Sequence, residues 1–302
     1  MKAAGRVKDV LVSSFLLLIT GLCLAESKSL PVIDLILPVD NAPLRQFASH
    51  VQNQNRDYTV RQFVRTLPDP AERGDVLVTV SNDLLTVIDD ADYPLEVALY
   101  VSEAEFADRH SDTVTGVFSD QPMRRQLALA SAILDQRPAR IAVPYLKPRY
   151  RHSFAAIIDD YPHLSAVIEA VSPDHPTEVI NRLIQRSDVL LATPETDIYN
   201  ADTIRSILLS SYRHRSMVIG PNQGFVTAGA LASVVSEPIH YASQLQKVLR
   251  QARENGALPA ADYPSDFTVA INHSVARSLG LPPLDAEQLK QRIQQALTES
   301  AP

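Results

Sequence analysis

Cysteine and tryptophan are almost missing from this chain. Its 302 residues include one cysteine, Cys23, and no tryptophan. A single cysteine excludes an internal disulfide, and its place near the amino terminus leaves the rest of the chain without a thiol nucleophile or a cysteine-based metal site. Because aromatic residues make up only 6% of the chain, its cores must be built from leucine, isoleucine, valine and alanine.

Glycine is scarce as well, and the common catalytic motifs are absent. Nine glycines are spread over the chain, and no G-x-G-x-x-G, Walker A, H-E-x-x-H or G-x-S-x-G sequence occurs. The usual signatures of dinucleotide enzymes, nucleotide hydrolases, zinc proteases and serine hydrolases are therefore missing. The eight histidines are scattered, with no pair at the spacing of metal ligands. We predict a protein that is not an enzyme and that has neither a cofactor nor a metal site.

The first 25 residues have the organisation of a secretory signal peptide. Three basic residues precede an apolar stretch over residues 10–22, and residues 23–25 (CLA) fit a cleavage site. We therefore predict export to the periplasm and a mature chain that begins at Glu26. A transmembrane helix is disfavoured because the uncharged run over residues 10–25 is shorter than the roughly 20 residues of a bilayer span. A lipid anchor on Cys23 is disfavoured by the bulk of Leu22 before it.

The mature chain is acidic. The whole sequence carries a net charge of −7. The predicted leader contributes three basic residues and one acidic residue, so the mature chain has a net charge of −7 − 2 = −9. Nucleic acids and anionic membranes attract proteins with clustered lysine and arginine, and this chain has no long basic run. We predict a soluble protein with no nucleic-acid partner.

Apolar runs of strand length alternate with stretches of helical periodicity along the mature chain. Runs such as residues 32–37 and 95–101 are apolar almost throughout, which is typical of parallel strands covered by helices on both faces. The alternation starts again near residue 140, after a predicted first connection over residues 123–140. Since 277 mature residues exceed the usual size of a single core, we predict an α/β protein with two doubly wound parallel-sheet lobes.

Four stretches carry a family resemblance. They are TGV at residues 115–117, TPETDI at 193–198, the segment at 210–233 that contains VIGPNQGFVTAGALA, and FTVAIN followed by GLPP within 267–283. Together they resemble the substrate-binding proteins of bacterial ABC transporters, in particular the TrpX-like members with a type I periplasmic binding fold. The resemblance extends over about residues 114–283, and before that only the order of elements supports it.

The resemblance implies two lobes joined by a three-segment hinge. We expect a first lobe formed by residues 26–138 plus 237–262 and a second lobe formed by residues 139–236 plus 263–302. Such hinges permit a closure in which a ligand trapped between the lobes stabilises the closed form.

Polar residues at the predicted strand ends are the candidates for ligand contact. In open α/β sheets, ligands bind outside the carboxyl ends of strands, where loops and helix N-termini offer polar groups. The candidates in the first lobe are Asp40, Asn41, Ser81, Asn82, Ser102 and Thr115, and those in the second are Tyr145, Thr193, Asp197, Asn222 and Gln223. Asp197 also matches an aspartate of the family motif, which favours contact with a ligand amine. The alternatives for Asp197 are a helix cap and a solvent-exposed loop charge.

A basic segment stands out in the acidic chain. Residues 147–152 (KPRYRH) follow the first predicted strand of the second lobe and precede a helix predicted over residues 153–160. The segment is either a solvated loop or part of the cleft mouth, where it would favour an anionic ligand. The loops at residues 39–43 and 81–83 depart from the family pattern, so the resemblance does not carry a ligand identity.

We therefore expect a periplasmic solute-binding protein that closes on a small molecule, such as an amino acid or related solute, and delivers it to an ABC permease. The alternative is a periplasmic sensor or accessory module of the same fold, acting with a signalling protein or an outer-membrane uptake system. Fold alone cannot separate these functions. The expected partners are a small-molecule ligand and an ABC permease or membrane sensor, and the chain itself is expected to be a monomer.

Overall fold

The computed structural model describes residues 30–89 and 91–299. The predicted signal peptide, residues 1–25, lies outside the described residues, and Cys23 lies outside them too. Within the described ranges, no helix has both the length and the apolar character that crossing a membrane requires.

The first half of the chain forms a parallel sheet. Its strands are β1 (Val32–Leu37), β2 (Thr59–Val64), β3 (Val76–Val80), β4 (Leu95–Val101) and β5 (Val114–Phe118), in the order β2-β1-β3-β4-β5. In the register of the two central strands, Leu35 of β1 lies beside Val78 of β3. All five residues of β3 are buried, as expected of a parallel strand covered on both faces.

The second half repeats this order. Its strands are β6 (Ala139–Tyr145), β7 (Leu164–Ala170), β8 (Val189–Leu191), β9 (Met217–Ile219), β10 (Ala232–Val235) and β11 (Thr268–Ile271), in the order β7-β6-β8-β9-β10-β11. The first five are parallel and repeat the order 2-1-3-4-5 of the first sheet, whereas β11 runs antiparallel to β10. The prediction of two parallel-sheet α/β lobes is confirmed.

The helices cover these two sheets. They are α1 (Ala42–Gln54), α2 (Leu85–Asp89), α3 (Glu103–Phe106), α4 (Met123–Leu134), α5 (Pro148–Ala155), α6 (Pro176–Ile184), α7 (Ala201–His214), α8 (Gln223–Ala228), α9 (Pro238–Asn255), α10 (His273–Ser278) and α11 (Ala286–Glu299). We use "first lobe" for the sheet β1 to β5 with α1, α2, α3 and α9, and "second lobe" for the sheet β6 to β11 with the other helices. Each lobe has its own hydrophobic core.

The chain passes between the two lobes three times. It first leaves β5 and enters α4 through residues 119–122, then leaves β10 and enters α9 through residues 236–237. Tyr241, Leu245 and Leu249 of α9 pack beside Phe47 of α1 in the core of the first lobe. The chain finally returns to β11 through residues 256–267.

The helix α4 lies on the second lobe. The expected division assigned residues 26–138 to the first lobe, but Leu127, Leu129 and Ile133 of α4 are buried in the core that also contains Ile141 and Phe267. The physical reason is that eight of the twelve residues of α4 are apolar and all eight are buried, so the helix packs against the second sheet and α11. The first connection is therefore residues 119–122.

The basic segment is helical. The sequence predicted a helix over residues 153–160, whereas α5 begins at Pro148 and ends at Ala155. Proline suits the first position of a helix because its ring fixes φ and the missing N–H has no partner there anyway. The acceptor for the N–H of Lys147 is Glu195, 48 residues further along the chain. A local pattern could not reveal that contact.

Candidate functional site

A buried carboxylate joins two strand ends of the second lobe. Glu195 follows β8, is only 3% exposed, and accepts hydrogen bonds from the backbone N–H groups of Leu146 at 3.2 Å and Lys147 at 2.6 Å. The hydroxyl of Thr193 donates to the same carboxylate at 2.7 Å. These donors follow β6 and β8, the two strands between which the strand order reverses. That position is where open α/β sheets usually bind ligands, and here a protein side chain fills it.

The corresponding edge of the first lobe uses shorter side chains. Asn82, after β3, accepts from the N–H of Ser102 after β4 at 2.8 Å. Ser102 in turn accepts from the N–H of Glu105 at 3.3 Å and caps α3. Asn41 caps α1 through the N–H of Leu44. The loops at this edge are therefore fixed by their own side-chain oxygens.

Ser81 has an unusual backbone conformation at the end of β3. Its φ of 95° and ψ of 150° lie where glycine is nearly the only residue found, at a cost of about 1–3 kcal/mol. The backbone N–H of Ser81 donates to Leu99 at 2.9 Å, and its hydroxyl oxygen accepts from the N–H of Asp83 at 3.1 Å. These contacts hold the strained turn beside the cleft.

A cavity of about 180 Å³ lies between the lobes, next to the first and third connections. The first lobe and the connections contribute Glu103, Asp120, Gln121, Pro122 and Tyr263, and the second lobe contributes Met123, Arg124, Tyr150, Ser153, Ile157 and Pro194. The cavity opens outside the carboxyl ends of β4, β5, β6 and β8. It is a candidate for a small-molecule site, because both lobes and two connections form its wall.

Two carboxylates, Glu103 of the first lobe and Asp120 of the first connection, reach this cavity. Asp120 follows β5, and one of its oxygens accepts from the N–H of Glu103 at 3.3 Å. Burial raises the pKa of Asp120, and the nearby charge of Glu103 raises it further, whereas Arg149 acts in the opposite direction. The hydroxyl of Tyr263 donates to Glu103 at 2.8 Å. Burial, with both carboxylates nearby, raises the pKa of Tyr263.

Two tyrosines from different parts of the chain line the cavity. Tyr150 of α5 is buried, and burial raises its pKa to about 12. The guanidinium of Arg149 lies 4.8 Å from the centre of the Tyr150 ring, and Arg149 donates to the Tyr150 hydroxyl at 3.0 Å. Tyr263 belongs to the third connection, and its ring meets Phe118 edge to face at 5.1 Å. Tyr150 of the basic segment thus lines the cleft with its aromatic ring.

Most of the predicted residues lie at the carboxyl edge, but they do not line the cavity. Tyr145 ends β6, and Asn222 caps α8 through the N–H of Phe225, with Gln223 exposed beside it. Asp40 forms an exposed ion pair with Arg45. The nearest matches are Ser102 and Thr193, whose neighbours Glu103 and Pro194 line the cavity.

Asp197 lies at the surface. Its side chain is 60% exposed, and a carboxylate oxygen is 3.8 Å from the ammonium nitrogen of Lys147. Asp197 is not the cap of the following helix, because Asn200 caps α7 by accepting from the N–H groups of Asp202 and Thr203. The sequence allowed two alternatives to ligand contact for Asp197, a helix cap and a solvent-exposed loop charge. The structure agrees with the loop charge.

Thr115 is a correction to the sequence prediction. It is the second residue of β5, fully buried, and its hydroxyl donates to the carbonyl of Pro259 at 2.7 Å. The strand continues to Phe118, so its carboxyl end is followed by Ser119 and Asp120. Applying the strand-end rule to a strand that ended at Phe118 would have selected Asp120.

Gly220 permits the close approach of a cleft helix. A Cβ atom at Gly220 would lie 2.5 Å from the Cβ of Phe225, closer than two such atoms can come. Any other residue at the end of β9 would push α8 and its cap Asn222 away from the sheet.

In the described ranges, no group of three or more histidine, cysteine, aspartate or glutamate side chains is placed to hold a metal ion.

Comparisons with solved structures agree with this architecture. A ligand-free, open substrate-binding protein with adhesive properties from Clostridium difficile is 14% identical, with a TM-score of 0.63, and the match covers 84% of this chain and 96% of that one. A conserved domain protein from Vibrio cholerae is 15% identical, with a TM-score of 0.54 and coverage of 87% and 98%. An ABC domain in complex with L-Trp from Streptococcus pneumonia is 15% identical, with a TM-score of 0.53 and coverage of 84% and 96%.

The chain has the fold of a type I periplasmic binding protein. The match covers nearly the whole of each similar structure, so both lobes and their connections are shared. No protein-family model matches the sequence, and neither does any curated protein. At 14–15% identity the likeness concerns the fold, and the ligand must be argued from the residues of this chain.

Proposed function

We propose that this protein is a periplasmic solute-binding protein that closes on a small molecule between its two lobes and delivers it to an ABC permease. The observation that carries the proposal is the cavity between Asp120, Tyr150 and Tyr263, whose wall is divided between both lobes and the connections. A solute there touches both lobes at once. It therefore interacts better with a closed arrangement than with an open one and shifts the population toward closure.

The connections provide the hinge in this proposal. Residues 119–122, 236–237 and 256–267 link the lobes, and two of these segments supply cavity residues. Arg125 ties the first and third together, because it donates to the side chain of Gln121 at 3.1 Å and to the carbonyl of Pro264 at 2.9 Å. Occupancy of the cavity is thereby coupled to the lobe angle that a membrane partner would recognise.

Export and the permease are parts of the proposal that rest on other observations. The signal-peptide pattern of residues 1–25 supports a periplasmic location. The similar structures include a substrate-binding protein and an ABC domain with bound L-Trp. These similarities support the proposal that this protein delivers its solute to a transporter. A binding protein of this kind needs no catalytic group and acts as a monomer, with its two lobes as the moving parts.

The test is to identify the solute that the protein carries. The full-length chain is expressed with its leader, recovered from the periplasm, and analysed by native mass spectrometry before and after denaturation. We expect a small molecule that is released on denaturation and that, when added back, raises the melting temperature. At 100 times its dissociation constant such a ligand stabilises the folded state by about 2.7 kcal/mol.

Two outcomes would contradict the proposal in different ways. Recovery of the protein with Met1 retained, in the cytosol, would exclude the periplasmic role. If the protein binds a solute but deletion of its gene does not change uptake of that solute by cells, the binding activity stands. The function would then be that of a sensor or accessory module.

A further inference from the structure

The cavity offers acceptors for hydrogen bonds more readily than donors. A carboxylate has about four acceptor sites, and the hydrogen bonds to Glu103 from Tyr263 and to Asp120 from backbone N–H groups use only part of this capacity. The amide of Gln121, by contrast, is engaged on both sides, because it donates to Ser236 at 3.0 Å and accepts from Arg125. A bound solute therefore meets carboxylate oxygens that still have capacity.

The backbone donors around the cavity already have carboxylate partners. Helix N-termini and strand-end loops are the usual places where a fold binds an anion. Here the N–H of Glu103 points at Asp120, and the N–H groups of Leu146 and Lys147 point at Glu195. Each of these positions holds a negative charge of the protein itself. A carboxylate on the solute would find the donors occupied and would be repelled by their occupants.

The nearby guanidinium groups are also engaged. Arg124 lines the cavity and donates to Asp160 at 2.8 Å. Arg149 lies over the ring of Tyr150 and donates to its hydroxyl. These contacts direct one terminal nitrogen of each guanidinium toward the protein and away from a solute anion, and the Nε of Arg149 is buried without a hydrogen-bond partner among the described residues.

Aromatic rings complete the environment of the two carboxylates. Tyr263 is fixed by its hydrogen bond to Glu103 and by its contact with Phe118, and Tyr150 is buried at the second-lobe side. Of the two carboxylates only Asp120 is desolvated. Rings beside it favour a cation, since the face of an aromatic ring is negative and attracts ammonium groups. The cavity volume of about 180 Å³ limits the solute to a small molecule.

Resting on the function proposed above, we infer that the solute is a small organic cation without a carboxylate, and that its ammonium group binds between Asp120 and Glu103 against the ring of Tyr263. The charge-assisted hydrogen bonds to the two carboxylates supply most of its selectivity. The pair Glu195 and Asp120 excludes the carboxylate that a zwitterionic amino acid would bring. A decarboxylated amine is therefore preferred over the matching amino acid.

Solutes that differ only in charge test this inference. Calorimetry with the purified mature chain would compare 2-phenylethylamine, phenylalanine and 3-phenylpropionate, then agmatine and arginine, with ribose and galactose as neutral arms. We expect each amine to bind at least about 10-fold more tightly than its amino acid, a difference of about 1.4 kcal/mol. Tighter binding of an amino acid, carboxylate or sugar would overturn the inference while preserving the solute-binding function. No binding in any arm would overturn the inference, and the co-purification experiment described above would then decide the proposed function separately.

Three variants locate the cation. Asp120→Asn keeps the shape and removes the charge, so it should weaken the best amine by about 10- to 100-fold, and Glu103→Gln should weaken it by about 3- to 10-fold. Glu105→Gln makes the same charge change on α3 outside the cavity lining and should leave affinity within about 2-fold. Melting of ligand-free Asp120→Asn should be unchanged or higher, because a desolvated charge is removed. Equal affinity in Asp120→Asn and Glu105→Gln would overturn the assignment.

Discussion

Glu195 in the second lobe and Glu96 in the first are both buried, at 3% and 4% exposure, but their carboxylates have different surroundings. Glu195 lies at the carboxyl edge of its sheet and receives the three hydrogen bonds from Leu146, Lys147 and Thr193. Glu96 lies at the amino end of β4, where the N–H of Tyr93 donates to it at 3.3 Å. Burial raises the pKa of Glu96 to about 7, and the charges of Asp92 and Asp89 add to this effect.

The difference shows what a buried carboxylate does in each lobe. A buried charge costs free energy unless hydrogen bonds and charges offset its desolvation. Glu195 is offset by well-placed donors and joins two strand ends that the chain separates by 48 residues. Glu96 is poorly offset, so it favours its protonated form. Glu195 therefore stabilises the second lobe through its hydrogen bonds, whereas ionised Glu96 destabilises the first lobe.

Removing Glu195 has the largest expected effect on stability. In Glu195→Ala the N–H groups of Leu146 and Lys147 and the hydroxyl of Thr193 lose their acceptor in a buried site. We expect the free energy of unfolding to fall by about 3–4 kcal/mol. Urea unfolding measures the change, with the exposed Glu178→Ala as the control, which should differ from the wild type by less than about 0.5 kcal/mol. A loss below about 1 kcal/mol in Glu195→Ala would show that other contacts hold the two strand ends.

Replacing Glu96 should raise the free energy of unfolding, and the size of the gain should depend on pH. Its folded-state pKa of about 7 exceeds the usual value of 4.5, so the folded state binds more protons than the unfolded state between those pH values. Stability from this group is therefore full below about pH 4.5 and falls as the pH rises through 7. Glu96→Gln should raise the free energy of unfolding by about 1–2 kcal/mol at pH 8 and change it little at pH 4. Urea titrations at both pH values measure this, and an equal gain at both would indicate a packing effect.

The hydrogen bond from the N–H of Ser102 to Asn82 in the first lobe should contribute less to stability than the contacts of Glu195 do. Asn82→Ala removes the acceptor of the Ser102 N–H, a neutral hydrogen bond in a half-buried site. We expect a loss of about 1 kcal/mol. Thermal melting measures it, and hydrogen exchange at the Ser102 amide should become faster. A loss as large as that of Glu195→Ala would remove the contrast between the two edges.

The strained turn at Ser81 gives the smallest effect. Ser81→Gly relieves the backbone conformation, but it adds the entropy cost of glycine and loses the cap to Asp83, so we expect a net gain of about 0.5 kcal/mol. Ser81→Ala keeps the strain and loses the cap, so it should lower stability. Opposite signs in the two melting curves support strain at this turn, and a loss in both would show that the hydroxyl matters more than the conformation.

Local patterns were sufficient to predict the order of elements but not their contacts. The apolar runs of β1, β3, β4 and β6 identified parallel strands because burial on both faces leaves few polar positions. The start of α5 was wrong by five residues, since Leu146 and Lys147, just before the helix, are held by the distant Glu195. The cleft candidates came within one residue of Glu103 and Pro194, but Asp120 was missed because Thr115, inside β5, was chosen in place of a residue after the strand end.

The sequence by itself determined that this is an α/β protein with two doubly wound lobes, since periodicity and strand composition act over a few residues each. Only the tertiary structure decided which side chains meet at the cavity. Tyr263 reaches Glu103 across 160 residues, and Glu195 fills the switch point of the second lobe. Such contacts depend on how the connections place the two lobes, and no local pattern records a distance between residues that meet only after folding.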